Sequence, residues 1–166
     1  MGTSKVSGNL FIITAASGAG KTSLVNALLE NDAQIKKSVS HTTRAPRVGE
    51  VNDVDYHFVN APQFLEILNA GGFLESADVY SAKYGTAQSA VDTAMQGGFD
   101  VILEIDWQGA AQVRNIYPQS ISIFILPPSV EALEHRLKIV VLRRNNNPRH
   151  SLHQHAARGW YAKRIF

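Results

Sequence analysis

The chain has 166 residues, of which 45% are hydrophobic and 18% charged, a composition that is typical of a globular domain and excludes a disordered or fibrous chain. The absence of cysteine excludes disulfides and thiolate chemistry, and the absence of any run of about 18 apolar residues or of a signal-peptide pattern predicts a cytoplasmic protein without a membrane span. The net charge of +2 combines −4 over residues 1–138 with +6 over residues 139–166, so the basic character of a nucleic-acid-binding protein is confined to the C-terminal segment.

Strand and helix patterns alternate along the chain. Residues 10–14 form a short apolar run rich in β-branched side chains, which predicts a strand buried on both faces, and residues 23–30 place apolar residues at helical spacing. Residues 39–60 are polar and rich in turn formers, which is typical of a small irregular or antiparallel lobe. The other predicted elements are helices over 61–70, 87–96, 108–116 and from a Ser129 cap to residue 138, and strands over 99–106 and 121–126. The alternation predicts an α/β fold whose parallel sheet is covered by helices on both faces.

A glycine-rich segment joins the first predicted strand to the first predicted helix. Its sequence, A-A-S-G-A-G-K-T, nearly matches the phosphate-binding pattern G-x-x-x-x-G-K-[ST] in the context that this pattern requires. Gly18 and Gly20 allow the backbone to point its N–H groups at phosphate oxygens, Lys21 would reach the β- and γ-phosphates, and the Thr22 hydroxyl would ligate Mg²⁺. Ala15 replaces the first glycine, so the alternative is a turn that only joins strand to helix. The candidate nucleotide-binding residues are Ala15, Ala16, Ser17, Gly18, Ala19, Gly20, Lys21 and Thr22.

Asp106 follows the apolar run of the strand predicted over 99–106. A carboxylate at this position can hold a metal-bound water near the phosphates, and the alternative is a solvated aspartate at a strand end. Because the strand is predicted to lie in the same sheet as the glycine-rich segment, the functional interpretation is favoured. We therefore expect Asp106 to be catalytic.

The glycine-rich segment is followed by motifs that carry a family resemblance. T-T-R-A-P-R, Y-H-F, G-F-L-E, Y-G-T, L-E-I-D-W-Q-G-A and F-I-L-P-P-S occur in the order that is found in guanylate kinases, and on these motifs the chain resembles that family over about residues 9–138. The resemblance implies a P-loop NTPase-type parallel sheet in which residues 1–38 and 88–138 form the core and residues 39–87 form an inserted GMP-binding lobe. It further implies Mg²⁺-dependent phosphoryl transfer from ATP to GMP.

Basic and phenolic side chains in the lobe are suited to the phosphate of GMP. Arg44 and Arg47 are three residues apart, so both guanidinium groups could clamp one dianionic phosphate as catalytic and substrate-binding residues. Tyr56 and Tyr84 would add phenolic donors, although each tyrosine alone also fits a packing role. Asp53 stands where the family usually has glycine, and we expect the turn to be kept because aspartate tolerates left-handed backbone angles.

The resemblance also implies the residues that recognise guanine. Glu75 would accept from the N1–H and the N2 amine, Ser40 and Thr86 would complete the base contact, and Gly85 and Asp106 would line the substrate site. Adenine has an acceptor at N1 and no N2 amine, so the buried carboxylate would be left unpaired, which costs about 1–3 kcal/mol or more. Taken alone, Glu75 also fits a solvated helix end.

Residues 139–166 depart from the family pattern. After Arg136 the family continues R-L-x-x-R-G into a lid and further core elements, whereas this chain has an atypical basic tail in their place. We hypothesise that the tail is read out of frame, because one additional adenine at the codon of Lys138 would restore R-L-K-N-R-G. We therefore expect weakened or absent turnover, better preserved GMP binding, and no nucleic-acid partner despite the basic tail.

Other functions remain open on the sequence alone. The main alternative is a catalytically inactive nucleotide-binding or interaction module of guanylate-kinase-like fold. Such scaffold domains typically lose the phosphate-binding loop, which this chain keeps. A nucleic-acid binder would show salt-dependent affinity that requires residues 139–166. A kinase with another acceptor would not be expected to keep Glu75 with Ser40 and Thr86.

Overall fold

The computed structural model describes residues 7–145, with side chains up to Lys138. The chain divides after Leu126 into two compact units. The elements in chain order are β1 (Leu10–Ala15), α1 (Lys21–Asn31), β2 (Ile35–Lys37), β3 (His41–Thr42), β4 (His57–Phe58), α2 (Ala61–Asn69), β5 (Phe73–Val79), β6 (Ala82–Ala87), α3 (Gln88–Gln96), β7 (Asp100–Glu104), α4 (Trp107–Ile116), β8 (Ile121–Ile125) and α5 (Val130–Asn145).

The first unit contains a parallel sheet in the order β2-β7-β1-β8. Successive side chains of a strand point to opposite faces, and in β7 both sets are buried. Val101 and Leu103 join a cluster that includes Val91 of α3 and Val113 of α4, whereas Ile102 packs in a second cluster with residues of α1. Helices therefore cover both faces of the central strands, and the predicted α/β fold is confirmed.

The same unit contains a second sheet in the order β4-β3-β6-β5, whose strands all lie within residues 39–87. β3 pairs with β4 in parallel and with β6 antiparallel, and β5 and β6 form an antiparallel hairpin. The α2 helix connects β4 to this hairpin. It starts with a capping box in which the Asn60 side chain accepts from the Gln63 N–H and the Gln63 side chain accepts from the Asn60 N–H.

Two features differ from the sequence-based expectation. The edge strand β8 is exposed within the described part of the chain, with Phe124 62% accessible, so the expectation of a sheet covered throughout is wrong at this strand. In the second unit, Ser129 caps α5 as predicted, since its Oγ accepts from the Ala132 N–H at 3.1 Å. The helix then continues past Lys138 to Asn145, because no glycine or proline interrupts the chain before Pro148.

The expectations about residues 146–166 lie outside the described residues. Among the helices that are described, none is both long enough and apolar enough to cross a membrane. The division of the chain into a P-loop core and a GMP-binding lobe stays a prediction.

Candidate functional site

The glycine-rich segment forms a tight loop between β1 and α1. Gly18 and Gly20 have φ angles of 81° and 104°, a left-handed conformation that side chains with a Cβ rarely adopt. The loop is closed by a hydrogen bond from the Ala19 N–H to the Ala16 carbonyl, at 3.1 Å. The loop therefore ends at Gly20, the N-cap residue of α1, and the helix begins at Lys21.

Glu104 is the carboxylate that contacts this loop. It is the last residue of β7 and lies opposite Ile13 of the neighbouring strand β1. The Lys21 Nζ lies 3.4 Å from Glu104 Oε1, the Thr22 hydroxyl donates to the same oxygen, and the Lys37 Nζ lies 3.8 Å from Oε2. The sequence analysis missed Glu104, although its place at the end of an apolar strand was the signal that led to Asp106.

Asp106 lies at the N-terminus of α4. Its Oδ1 accepts from the N–H groups of Gln108 and Gly109 at 3.1 and 3.0 Å, and its Oδ2 accepts from the Gln108 side chain. These bonds cap the helix. Asp106 also lies close enough to Glu75 to raise the pKa of that carboxyl group. Its hydrogen bonds therefore anchor it on the helix, while Glu104 contacts Lys21 and Thr22.

The predicted base-recognition residues form a continuous chain of hydrogen bonds. Glu75 on β5 pairs in register with Thr86 on β6, and the Thr86 hydroxyl donates to Glu75 Oε1 at 2.6 Å. The Ser40 and Thr86 hydroxyl oxygens are 3.1 Å apart. Glu75 is only 4% exposed, and burial is the main reason why its pKa is raised, while the Thr86 hydrogen bond acts in the opposite direction. Three groups that sequence reasoning placed together are thus linked through the Thr86 hydroxyl.

Two glycines shape the surroundings of this chain of hydrogen bonds. A Cβ on Gly109 would lie 2.3 Å from Glu75 Oε2, so the carboxylate packs directly against the backbone of α4. Gly85, which pairs with His41 of β3, packs against the ring of Phe73, which would lie 3.0 Å from an added Cβ. Gly109 was not among the predicted site residues, because nothing in the sequence indicates that α4 passes over the lobe.

Arg44 lies at the other end of the lobe and is held by several partners. Its Nη1 and Nη2 each donate to one oxygen of Glu50 at 2.9 Å, Nη1 also donates to the Ala45 carbonyl at 2.7 Å, and Nε donates to the Tyr84 hydroxyl at 3.2 Å. The guanidinium carbon lies 5.4 Å from the centre of the Tyr56 ring, which is within cation–π range. Arg44, Tyr56 and Tyr84 are therefore brought together as predicted.

The Arg47 side chain is exposed, and its backbone N–H donates to Glu50 at 2.6 Å. Asp53 adopts a φ angle of 65°, so the aspartate keeps the left-handed turn, and its carboxylate contacts His57 Nδ1 at 2.6 Å. This second contact explains how the turn is stabilised without glycine.

A small pocket lies between the end of β7 and the lobe. It is lined by Lys37, Ser38, Ser40, Asp55, Tyr56 and Glu104. Ser40 belongs to the base-recognition residues, Tyr56 lies beside Arg44, and Glu104 contacts the phosphate-binding loop. Tyr56 and Glu104 also interact electrostatically. Burial raises the pKa of the Tyr56 hydroxyl, and the negative charge of Glu104 raises it further. Ser40 and Tyr56 of the lobe therefore line the same pocket as Glu104, the carboxylate that contacts the loop.

The family model described as guanylate kinase matches residues 7–158 of this chain. The chain belongs to the guanylate kinase family. The match extends past residue 138, where the range inferred from the motifs ends. The chain is 68% identical over 130 residues to the guanylate kinase of Methylobacillus flagellatus, a match that covers 78% of this chain and 64% of that protein. It is 51% identical over 154 residues to the guanylate kinase of Neisseria gonorrhoeae, covering 89% of this chain and 75% of the relative.

A solved structure of a guanylate kinase, from Anaplasma phagocytophilum, superposes with a TM-score of 0.70 at 35% identity. The superposition covers 84% of this chain and 72% of that chain. The P-loop NTPase-type fold and the family inferred from the motifs are thereby confirmed. The chain spans about two thirds of the length of the guanylate kinase of Nitrosococcus oceani, to which it is 56% identical over 134 residues.

Proposed function

We propose that this chain is a guanylate kinase that transfers the γ-phosphoryl group of ATP to GMP. The observation that carries the proposal is the pocket in which Glu104, next to the phosphate-binding loop, lies with Ser40 and Tyr56 of the lobe. Phosphoryl transfer needs a donor and an acceptor that are aligned and a moving group whose charge is neutralised. The first requirement is supported by this pocket, because an acceptor bound beside Ser40 and Tyr56 would lie near Glu104 and the loop that it contacts.

The donor side of the proposal rests on the loop of residues 15–22. Backbone N–H groups and Lys21 would hold the ATP phosphates. The Thr22 hydroxyl and a Glu104 oxygen are in direct contact, and two adjacent hard oxygen donors suit Mg²⁺, which usually takes few protein ligands beside phosphates and water. When bound there, Mg²⁺ supplies positive charge to the phosphate oxygens. The catalytic assignments of Lys21, Arg44, Arg47 and Asp106 belong to this proposal.

The acceptor side rests on the lobe of residues 39–87. Glu75 offers a buried acceptor for the donor-rich edge of guanine, with Ser40 and Thr86 beside it. Adenine would offer no donor to the Glu75 oxygen that Thr86 leaves open, at a cost of about 1–3 kcal/mol or more, which corresponds to a preference for GMP of roughly fivefold to 150-fold or more. Arg44 and Tyr84 would bind the phosphate at the opposite end of the nucleotide.

The activity of this chain is proposed to be weak. Lid arginines that neutralise the transferring phosphoryl group belong to the family pattern, and the motif pattern predicts that residues 139–166 depart from it, although the family model matches as far as residue 158. Loss of an arginine that meets this charge lowers the rate of phosphoryl transfer by several powers of ten in enzymes that depend on it. GMP binding depends on residues 39–87 and is expected to be less affected.

Calorimetry with GMP and AMP, paired with an assay of ADP release, tests the proposal. We expect GMP to bind at least tenfold more tightly than AMP, and Glu75→Gln to remove most of this preference. ADP release that requires both GMP and Mg²⁺ supports the kinase. Guanine-selective binding without any ADP release would support the inactive nucleotide-binding module instead. Equal affinity for the two nucleotides would refute the assignment of the acceptor.

A further inference from the structure

The hydrogen bonds of Arg44 leave a defined part of its guanidinium group available. A guanidinium group has five N–H donors. In the structure Nη1 donates to Glu50 and Ala45, Nη2 donates once to Glu50, and Nε donates to the Tyr84 hydroxyl. These contacts occupy four donors. The fifth, on Nη2, lies along the same edge of the planar guanidinium group as the Nε–H.

Glu50 occupies the terminal face of this guanidinium group. Its two oxygens accept from Nη1 and Nη2 at 2.9 Å each, which is the paired geometry of a strong arginine–carboxylate contact. The side chains of Arg44 and Glu50 are only 17% and 18% exposed, so solvent screens the pair weakly. A phosphate therefore cannot approach the terminal face unless Glu50 moves away.

Glu50 is itself fixed in the loop that carries Arg44. The Arg47 backbone N–H donates to Glu50 Oε2 at 2.6 Å, and the Glu50 backbone N–H donates to the Arg47 carbonyl at 3.0 Å. The hydrogen bonds from Arg44 and Arg47 lower the pKa of Glu50 against the opposing effect of burial, so the carboxylate is charged at neutral pH. The Glu50 carboxylate is thus held in place by hydrogen bonds within the loop.

The lateral edge of Arg44 is formed by Nε and Nη2, and Tyr84 lies against it. A phenolic hydroxyl that accepts from Nε keeps its own proton to donate. The edge therefore presents the remaining Nη2–H and the Tyr84 hydroxyl to one side of the loop. This is a directional donor set of the kind that recognises a phosphate.

We propose that Glu50 is a positioning residue for the acceptor phosphate: it occupies the terminal face of Arg44 and thereby presents the lateral edge, with the Tyr84 hydroxyl, to the phosphate of GMP. The inference rests on the proposed function and adds a residue to it. Glu50 acts through Arg44, and the phosphate is bound by the lateral edge of Arg44 while the pair with Glu50 stays intact.

Calorimetric titration of the full chain with two probes, GMP and guanosine, separates this role from a general effect on the lobe. The variants are Glu50→Gln, which keeps the shape, and Glu50→Asp, which keeps the charge but is too short to hold both nitrogens. Each is expected to weaken GMP binding about tenfold or more, because charge-assisted hydrogen bonds orient Arg44. Guanosine affinity is expected to change less than twofold. Asp78→Asn is the matched control, since Asp78 forms an exposed ion pair with Lys83 in the same lobe.

The outcomes separate the proposed role of Glu50 from its alternatives. Tighter GMP binding by Glu50→Gln would mean that Glu50 competes with the phosphate, and it would overturn the proposal. An equal loss of GMP and guanosine affinity would show that Glu50 only stabilises the lobe, which also overturns it. In an Arg44→Lys background, Glu50→Gln is expected to cause no further loss of GMP affinity, since the effect passes through Arg44. A wild-type chain that binds neither probe would instead refute the proposed function.

Discussion

Adding one methyl group at Gly109 should displace the Glu75 carboxylate, which we propose selects guanine. In Gly109→Ala the new Cβ would lie 2.3 Å from Glu75 Oε2 and 3.0 Å from its Cδ, whereas ordinary contacts of a Cβ begin at 3.4 Å. The α4 backbone is held at this point by Asp106, which accepts from the Gly109 N–H at 3.0 Å. We therefore expect the Glu75 side chain to move, by about 1 Å, rather than the helix.

The size of the effect follows from the bonds that this movement breaks. A shift of the carboxylate lengthens the 2.6 Å hydrogen bond from the Thr86 hydroxyl to Glu75, and a buried hydrogen bond to a charged group contributes about 1.5–3 kcal/mol. Alanine is favoured over glycine in a helix by up to about 1 kcal/mol, which offsets part of the loss. The free energy of unfolding should fall by about 0.5–2 kcal/mol, and GMP affinity should fall about tenfold or more.

Urea denaturation of Gly109→Ala measures the stability, and calorimetry with GMP and AMP measures the selectivity. Glu75→Gln is the matched variant, because it removes the charge without a steric clash. We expect both variants to lose selectivity, and AMP affinity to change much less than GMP affinity. If Gly109→Ala keeps the wild-type ratio of GMP to AMP affinity, the inference that Glu75 reads the base from its observed position is refuted.

The remaining predictions concern three side chains. Because burial raises the pKa of Glu75, the folded chain binds the Glu75 proton more tightly than the unfolded chain does. The free energy of unfolding should therefore rise as the pH falls through the raised pKa. Guanosine affinity should fall over the same pH range, and Glu75→Gln should show neither change. Glu104→Gln should remove the Mg²⁺-dependent part of ATP affinity in calorimetry while GMP affinity stays within about twofold. The hydrogen bond to Asp92 raises the pKa of Tyr117 to about 12, so its contribution to stability is full below the ordinary value of 10 and is lost as the pH rises through 12. Tyr117→Phe should lower the free energy of unfolding by about 1 kcal/mol at neutral pH, and ultraviolet titration should lose a tyrosine that titrates at about pH 12.

The central part of the fold was predictable because its first strand is buried on both faces and its helices have apolar residues at regular spacing. The strand of residues 10–15 and the helices α2, α3 and α4 were found to within about two residues, since apolar spacing and caps act locally. The hairpin of β5 and β6 was not predicted. Its two-residue loop places Tyr80 at a φ of 57°, and a tyrosine gives no signal for a conformation that is usual for glycine or asparagine.

The candidate site was predictable where its chemistry depends on which residue types are present and how they are spaced. Glycines before a lysine indicate a phosphate-binding loop, and the motifs of the lobe carry the family resemblance. The distinction between Glu104 and Asp106 was not accessible from sequence, because a carboxylate that ends a strand and one that caps the next helix look alike two residues apart. The pairing of Arg44 with Glu50 requires the folded loop, since Asp53 and Asp55 follow in the same segment and sequence alone does not say which carboxylate Arg44 contacts.

The helices differ in how their first turns are completed. α2 and α4 have side-chain caps from Asn60 and Asp106, whereas α1 begins after Gly20 without a side-chain hydrogen bond to its cap. An uncapped first turn frays more readily, because its backbone donors must be satisfied by water or by an anion. Loading of a phosphate on this loop would therefore order the start of α1. Slower amide hydrogen exchange over residues 20–24 would report nucleotide occupancy directly, without any turnover of substrate.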